Sequence, residues 1–580
     1  MAASRYYPMK NSAAEKLTKS ECKETMASLE SSSSSDTSVG SLREKYIKAC
    51  CKPTYRMRWM KTKGAILVLV WNYLAFSVFY YLGGFSGDSE LLRSVPFFRG
   101  HASGLVGVAT LFCPFAGWLA DVRLGRYKVI CISLWTMWIG ILLSVVGLLI
   151  RDVNDTASLV IGYGIFPLLY VVIALGIAAF QANIIQFGVD QLLDASAVEI
   201  TAFVNWYVWT IYSSNTVVSF LLDCLNEKFQ FIRSLVLAVT LSLALCSNFI
   251  LKKWLVVEPV IQNPLKLISK VLGYAVKNKY PRQRSAFTYW EDKIPSRIDL
   301  AKSKYGGPFT TEQVEDVKTF FRILVLIFSV GAIVSANIVT AGVERNMVWH
   351  LRGHETPKSD SLSVCFQVNS IRNLEYYCIV LLVPLYEFIV RPVFQRCIPS
   401  VGIFQKYGIG MVLLLMNIVA NQVFDVVGHQ LTEATNGTVL CILTANETSP
   451  SLDIDYRWLA IPGIIRGFSI LFLLIPMFEF VCAQSPYSMK GLLLGIIYGT
   501  FGLMTILGTL VLYPFTVVFR TGRDAKPSCG FWYFLAAGII VLIAIVIFCF
   551  VGKWYKRRER DEEPNTQRFV EDYYERYSVN

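Results

Sequence analysis

"GWLADVRLGRYK", residues 117–128, lies between two long apolar runs, 102–120 and 127–150. Its second part, DVRLGRYK, holds Arg123, Arg126 and Lys128 against the single acid Asp121. Lysine and arginine gather in the short cytoplasmic loops of membrane proteins, so the stretch reads as a tight turn between two membrane-crossing helices. Gly117 is small enough to let a neighbouring helix approach closely, and Gly125 suits the turn itself. Asp121 can pair with a cation or with the positive N-terminal end of an adjacent helix.

Working outward from that turn, apolar runs of about twenty residues recur along the whole 580-residue chain. They fall near 64–85, 102–120, 127–150, 158–182, 200–222, 231–256, 319–342, 374–390, 402–424, 457–482, 489–516 and 530–552. Hydrophobic residues make up 54% of the chain and mean hydropathy is +0.47, too apolar for a soluble protein of this size. The fold class is an all-α membrane protein with 12 transmembrane helices. Its parts are a disordered cytosolic tail at 1–60, a six-helix bundle at 61–257, a cytosolic central loop at 258–317, a second six-helix bundle at 318–553, and a cytosolic tail at 554–580.

The +13 charge is read by position. With both termini cytoplasmic, the basic segments 121–128, 391–406 and 553–560 all fall inside, as does the central loop. The sequons at Asn154, Asn436 and Asn446 then all fall outside, an agreement between two signals of different physical origin. The basic surplus is thereby accounted for without a nucleic-acid partner. The cysteines are scattered with no CxxC pair, so no metal site is implied. Cys365, Cys441 and Cys529 lie in outer loops where a disulfide is permitted. Cys50-Cys51 beside basic residues fits palmitoylation and fits unmodified juxtamembrane thiols equally. No nucleophile–base pair, phosphate-binding glycine loop or metal spacing appears, which argues against an enzyme.

The turn at 117–128 resembles the loop between helices 2 and 3 of the major facilitator superfamily. That resemblance implies two six-helix bundles rocking about a midplane substrate site, with Gly117, Asp121, Arg123, Gly125 and Arg126 serving an inner gate. Three further stretches narrow it: FGVDQLLDAS (187–196), FVNWYVWTIY (203–212) and EFVCAQSPYSMKGLL (479–493). Together with the loop 285–323 they resemble the proton-coupled oligopeptide transporter family, nearest its animal peptide/histidine branch. The family pattern adds Asp190 to the gate. It also implies that Glu479 faces the central cavity and receives a peptide's amino group; the alternative is a carboxylate that snorkels to the cytoplasmic surface.

The chain departs from the family in its first helix, where Leu69, Asn72 and Tyr73 stand in place of the charged ExxER residues. Neutral side chains of these types carry no proton near neutral pH. Gln181 stands near a cavity lysine of many relatives, and Ile497 near a pocket tryptophan. Tyr80, Tyr81, Asn205, Tyr212 and Asn215 line the cavity or act as interhelical glue. The seventh run, 321–342, reads as free of acids, so Glu479 is the one anion expected in the cavity. Arg466 reads as an outer-rim packing or snorkelling arginine, and His101 as an exposed loop residue.

The resemblance implies a solute carrier for di- or tripeptides or histidine-like amino acids, with a proton as coupling ion and no other cofactor, whereas the missing helix 1 charges argue for facilitated transport or atypical coupling. The alternatives are a non-transporting sensor or scaffold with cytosolic adaptor or signalling partners, and a carrier of another amine-bearing solute. A monomer in an endolysosomal or plasma membrane is expected; Tyr6-Tyr7-Pro8-Met9 matches a tyrosine-type sorting signal.

Overall fold

Among the described residues of the computed structural model, seven helices are long and apolar enough to cross a membrane. The structure describes residues 63–88, 107–151, 165–192, 197–222, 230–257, 263–278, 296–347, 351–352, 370–371, 373–391, 402–436, 452–518 and 530–555. The first sixty residues, the tail beyond Tyr555, His101, Asn154, Asn446, Cys50, Cys51, Cys365, Cys441 and Cys529 lie outside that set, as do the side chains of Tyr80, Tyr81 and Asn436.

The described helices are α1 (Lys63–Asp88), α2 (Cys113–Leu119), α3 (Arg126–Arg151), α4 (Phe166–Asp190), α5 (Ala197–Leu222) and α6 (Gln230–Ile250) in the first half. Then come α7 (Pro264–Lys277), α8 (Thr311–Met347), α9 (Leu374–Leu385), α10 (Ile403–Asn436), α11 (Ala460–Gln484), α12 (Lys490–Val518) and α13 (Phe531–Trp554). Apolar side chains on continuous helices are what lipid demands, because every backbone polar group must be satisfied internally. On α13 the residues Ile539, Leu542, Ile543, Val546, Ile547 and Phe550 are exposed, an apolar face suited to acyl chains.

α3 packs on α4 and α6, and α1 on α4, α5 and α6. In the second half α10 packs on α11 and α13, α8 on α12 and α13, and α9 on α11. The halves meet where α2 and α4 touch α12, and where α5 touches α9 and α11. Glycines bring α2 and α12 into backbone contact. A Cβ on Gly117 would overlap the Gly491 carbonyl, and one on Gly495 would overlap the carbonyl of Cys113.

Two helices end in a π turn, α2 at Ala120–Leu124 and α9 at Tyr386–Val390. The first closes on Gly125, whose φ of 80° is a conformation L side chains rarely adopt. α11 stops at Ser485-Pro486, since proline disfavours helix at the residue before it.

Two helices run past their apolar cores. α8 extends from Thr311 to Met347 and α10 from Ile403 to Asn436, well beyond the hydropathic runs 319–342 and 402–424. The run 321–342 itself holds no acid, but the longer helix brings Glu344 onto α8 in a buried position.

Between the halves, α7 is capped by Asn263, whose side chain accepts from the Leu265 and Lys266 amides. Its Ile268, Val271 and Ala275 are buried, while Lys266, Lys270 and Lys277 face out. Nearby, Lys302 pairs with Asp299 at 2.7 Å and with Glu315, and Lys318 pairs with the same two acids. Burial pushes the Asp299 carboxyl up, but the Lys302 and Lys318 ammoniums and the Ser296 hydroxyl more than undo this and hold it well below the carboxylate range. Among the described residues the only sheet is a short parallel pair, Leu351–Arg352 with Leu452–Asp455.

Candidate transport site and gate

At the end of the molecule that carries Gly125, side chains from both halves interlock. Asp121 accepts from the Leu492 amide at 2.9 Å, in the first turn of α12, and from Arg126 Nη2 at 3.2 Å. An acid here complements the positive end of the α12 dipole. Arg126 also pairs with Asp190 at the end of α4. Asp190 accepts from Gln186 at 2.9 Å and lies 3.4 Å from Lys490 Nζ on the opposite half. Four of the sequence-derived gate residues thus meet: Gly117, Asp121, Arg126 and Asp190, with Gly125 shaping the turn. Arg123 is exposed and takes no part in this network.

Glu479 sits one turn before the end of α11, with its side chain 15% exposed. Thr201 on α5 donates to its Oε1 at 2.8 Å, across the halves. Its Oε2 lies 3.5 Å from Lys406 Nζ, close enough for an ion pair. Near it, Asn205 Nδ2 donates to Glu387 Oε1, again across the halves. Both Glu387 oxygens accept from Arg391 at 2.8 Å. Deeper between the halves the buried Tyr207 and Tyr498 hydroxyls are 3.1 Å apart. Tyr212 is half-buried, with its ring 5.6 Å from that of Tyr376 on α9.

The remaining predicted site residues sit within the first half. Asn72 is buried and donates to Thr210 Oγ1 at 2.7 Å and to the Tyr207 carbonyl at 3.3 Å, binding α1 to α5. Tyr73 is half-buried and offers its carbonyl to the Ser214 hydroxyl. Gln181 is buried on α4.

Two expectations need correction. Glu479, expected as the one anion of the cavity, is joined by three further acids buried within the helices, Glu344, Glu375 and Glu387. Glu387 is met by Arg391, and Glu344 and Glu375 share Arg466. Arg466 is not a rim residue, since it is 2% exposed and contacts Glu344 and Glu375. The signals were present in part. Glu387 and Arg391 stand four apart, the spacing that puts two side chains on one helix face. Thr201 and Lys406 carried no signal of contact, because only the packing of α5, α10 and α11 brings them to Glu479.

The described helices are those of a multi-pass membrane protein whose two halves are tied at one end by polar contacts. Comparison with known proteins specifies it: the sequence profile of the POT family matches residues 127–523, and the chain belongs to the POT family. Its members are transporters, not enzymes. The chain is similar to solute carrier family 15 member 3 of Rattus norvegicus, 24% identical with 88% of this chain and 94% of that protein covered. It is also similar to part of solute carrier family 15 member 5 of Homo sapiens, 26% identical over 38% of this chain and 39% of that protein. Among solved structures, an auto-inhibited POT family peptide transporter superposes with TM-score 0.58 and 17% identity, covering 86% of this chain and 98% of its own. A POT family transporter in complex with 5-aminolevulinic acid superposes with TM-score 0.50 and 14% identity, covering 85% of this chain and 96% of its own.

Proposed function

We propose that this chain carries small amine-bearing solutes across a membrane by alternating access, with di- and tripeptides or histidine-like amino acids as cargo. The observation that carries the reading is Glu479, tied to Thr201 on one half and loosely to Lys406 on its own. A carboxylate with low-dielectric walls attracts an ammonium far more strongly than one in water. Lys406 stands where a substrate amine would stand, so cargo competes with it. Drawing Glu479 away from Thr201 removes a tie between the halves, which couples binding to opening.

The gate is the set Gly117, Asp121, Gly125, Arg126 and Asp190. Hydrogen bonds to charged groups contribute about 1.5–3 kcal/mol each. The ties from Asp121 to the Leu492 amide and from Asp190 to Lys490 are thus together of the order of the ~5.5 kcal/mol that reverses a 1:99 equilibrium. Asn205 and Tyr212, which face the other half from α5, are the next cargo-contacting candidates, followed by Gln181, Asn72, Tyr73 and Tyr80. The termini and central segment are cytosolic, Asn154, Asn436 and Asn446 are glycosylated outside, and the protein sits in the endolysosomal membrane with an inward proton gradient as its drive. The similarity to a fold neighbour that holds 5-aminolevulinic acid, an amine with a carboxylate, supports a cargo class wider than peptides.

The test is uptake of labelled dipeptide and of labelled histidine into proteoliposomes, with and without a proton gradient. Uptake of at least one, stimulated by the gradient and lowered about tenfold or more by Glu479→Gln, is expected. Uptake no higher than in protein-free liposomes, for both solutes and under every gradient, would defeat the reading.

A further inference from the structure

At the end of α8 remote from the gate lies a second charged cluster, which the transport reading leaves unused. Arg466 on α11 donates from Nη1 to Glu344 Oε2 at 2.8 Å and from Nη2 to the Asn337 carbonyl. Its Nε lies 2.6 Å from Glu375 Oε2 on α9. Asn421 on α10 donates to Glu344 at 3.2 Å and to the Asn417 carbonyl at 3.1 Å. The three charged residues are at least nine-tenths buried: Glu344 is 7% exposed, Glu375 5% and Arg466 2%.

The charges do not balance. Two carboxylates face one guanidinium, and arginine stays protonated in proteins. No other cation meets them among the described residues. Around the cluster α13 contributes the neutral Tyr533, whose hydroxyl bonds to the Val339 carbonyl, and α9 adds the Cys378 thiol. The next acid, Asp425 on α10, accepts from the Gly530 amide and adds no positive charge. An uncompensated charge in a protein interior is expelled by protonation rather than tolerated.

The hydrogen-bond inventory points the same way, independently of charge. The side-chain oxygens of Asn337, Asn417 and Asn421 are buried, and no donor reaches any of them among the described residues. Asn421 is fully buried, and its carboxamide already touches Glu344. Three buried acceptors thus stand beside one buried donor without a hydrogen-bond partner, Arg466 Nε, which meets Glu375 only as an ion pair.

We propose that the Glu344–Arg466–Glu375 cluster binds one proton, distributed between the two carboxyls, and is the proton-carrying element of the second half. The proton belongs to the pair rather than to either residue. In the first half, residues 64–85 of α1, with Asn72 and Tyr73 among them, include no acid and no base. The cluster spans α8, α9, α10 and α11, so gain or loss of the proton alters how four helices are held together. Its part in driving transport rests on the carrier reading above; the bound proton itself does not.

The experiment is infrared difference spectroscopy on the full chain in lipid nanodiscs at neutral pH, in H2O and D2O, paired with gradient-driven uptake. A protonated-carboxyl C=O band that shifts in D2O is expected in the wild type. Either Glu344→Gln or Glu375→Gln abolishes it, because each leaves one acid on one arginine, a balanced pair with no proton to hold. Absence of the band from the wild type overturns the proposal, as does its persistence in both variants. Should one variant fail to fold, the wild-type spectrum and the other variant still decide. Uptake separates the two claims. A band that behaves as described, with no uptake of any solute, keeps the proton site and defeats the carrier reading. Gradient stimulation that survives in both variants overturns the cluster's role in coupling.

Discussion

Two turns of this molecule, Ala120–Gly125 and Tyr386–Arg391, sit at equivalent places in the two halves and share a plan. Each follows a helix containing proline, Pro114 or Pro384, and each opens into a π turn. Each bears an acid, Asp121 or Glu387, and an arginine a turn later, Arg126 or Arg391. Each acid also reaches the opposite half, Asp121 to the Leu492 amide and Glu387 to the Asn205 amide. They differ in how the arginine is used. Arg391 meets both oxygens of Glu387, in a pair whose carboxylate is 0% exposed. Arg126 is divided between Asp121 and Asp190, and Asp190 is shared in turn with Lys490. A buried guanidinium that meets both oxygens of one carboxylate behaves as a fixed pin. A chain of shared partners can exchange them, which is what a gate requires.

The sharpest way to break this comparison is to remove the pin. Glu387→Gln deprives Arg391 of its two-oxygen carboxylate in the interior, and breaking such a buried pair costs about 3–5 kcal/mol. Thermal unfolding in detergent should show a large drop in midpoint; an unchanged midpoint would put the two turns on an equal footing.

Next comes the close approach of the halves. Gly117→Val places a branched side chain against the Gly491 backbone. Overpacking of that kind costs about 1–3 kcal/mol, here charged to the latched form alone. Uptake should fall while the amount of protein in the membrane does not. Asp121→Asn is milder, because the amide oxygen still accepts from Leu492, so about 1 kcal/mol is lost from the latch. Cysteine accessibility at the gate end should rise in that variant, and a drop in accessibility contradicts the latch. Arg123→Ala, at an exposed position outside the network, should stay within about 0.5 kcal/mol of wild type.

The smallest effect belongs to the central segment and serves as a pH control. Asp299 titrates below its ordinary value in the fold, so its stabilisation is complete above its unfolded value of 3.8 and is lost as pH falls through the lowered folded value. Lys302 is held above its ordinary 10.5; burial lowers it, and Asp299 and Glu315 more than restore it. Its contribution is complete below 10.5 and lost as pH rises through the raised value. Protease cleavage of this segment should therefore be flat from about pH 5 to 9. Cleavage that changes within that window would mean the knot is not the ionised one.

The same two turns show what the amino-acid sequence discloses. DVRLGR announces itself because its charges interrupt two apolar runs and its glycine occupies a conformation other residues avoid. YEFIVR has no glycine, and its charges flank an apolar run that averages them away, so an equally important contact went unread. Glu344 and Arg466 fail in a different way. Each looks like a helix-end residue when its own helix is read alone, and their pairing exists only once α8 and α11 are side by side. Glu479 was legible as a residue of interest, but its partners Thr201 and Lys406 lie far from it along the chain. Periodicity and motif report what a segment is; they report contacts between distant segments only when a motif already encodes them.

The central claim is that the two halves close on Glu479 at the gate end and separate when a cargo amine displaces Lys406 from it. It is tested most directly by spin labels on the exposed Arg123 and Gln405 positions, one in each half, with other reactive cysteines removed. The account predicts one short distance without cargo and a longer, broader distribution with saturating dipeptide or histidine, abolished by Glu479→Gln. A single unchanged distance across every solute tested, in wild type and variant alike, contradicts it.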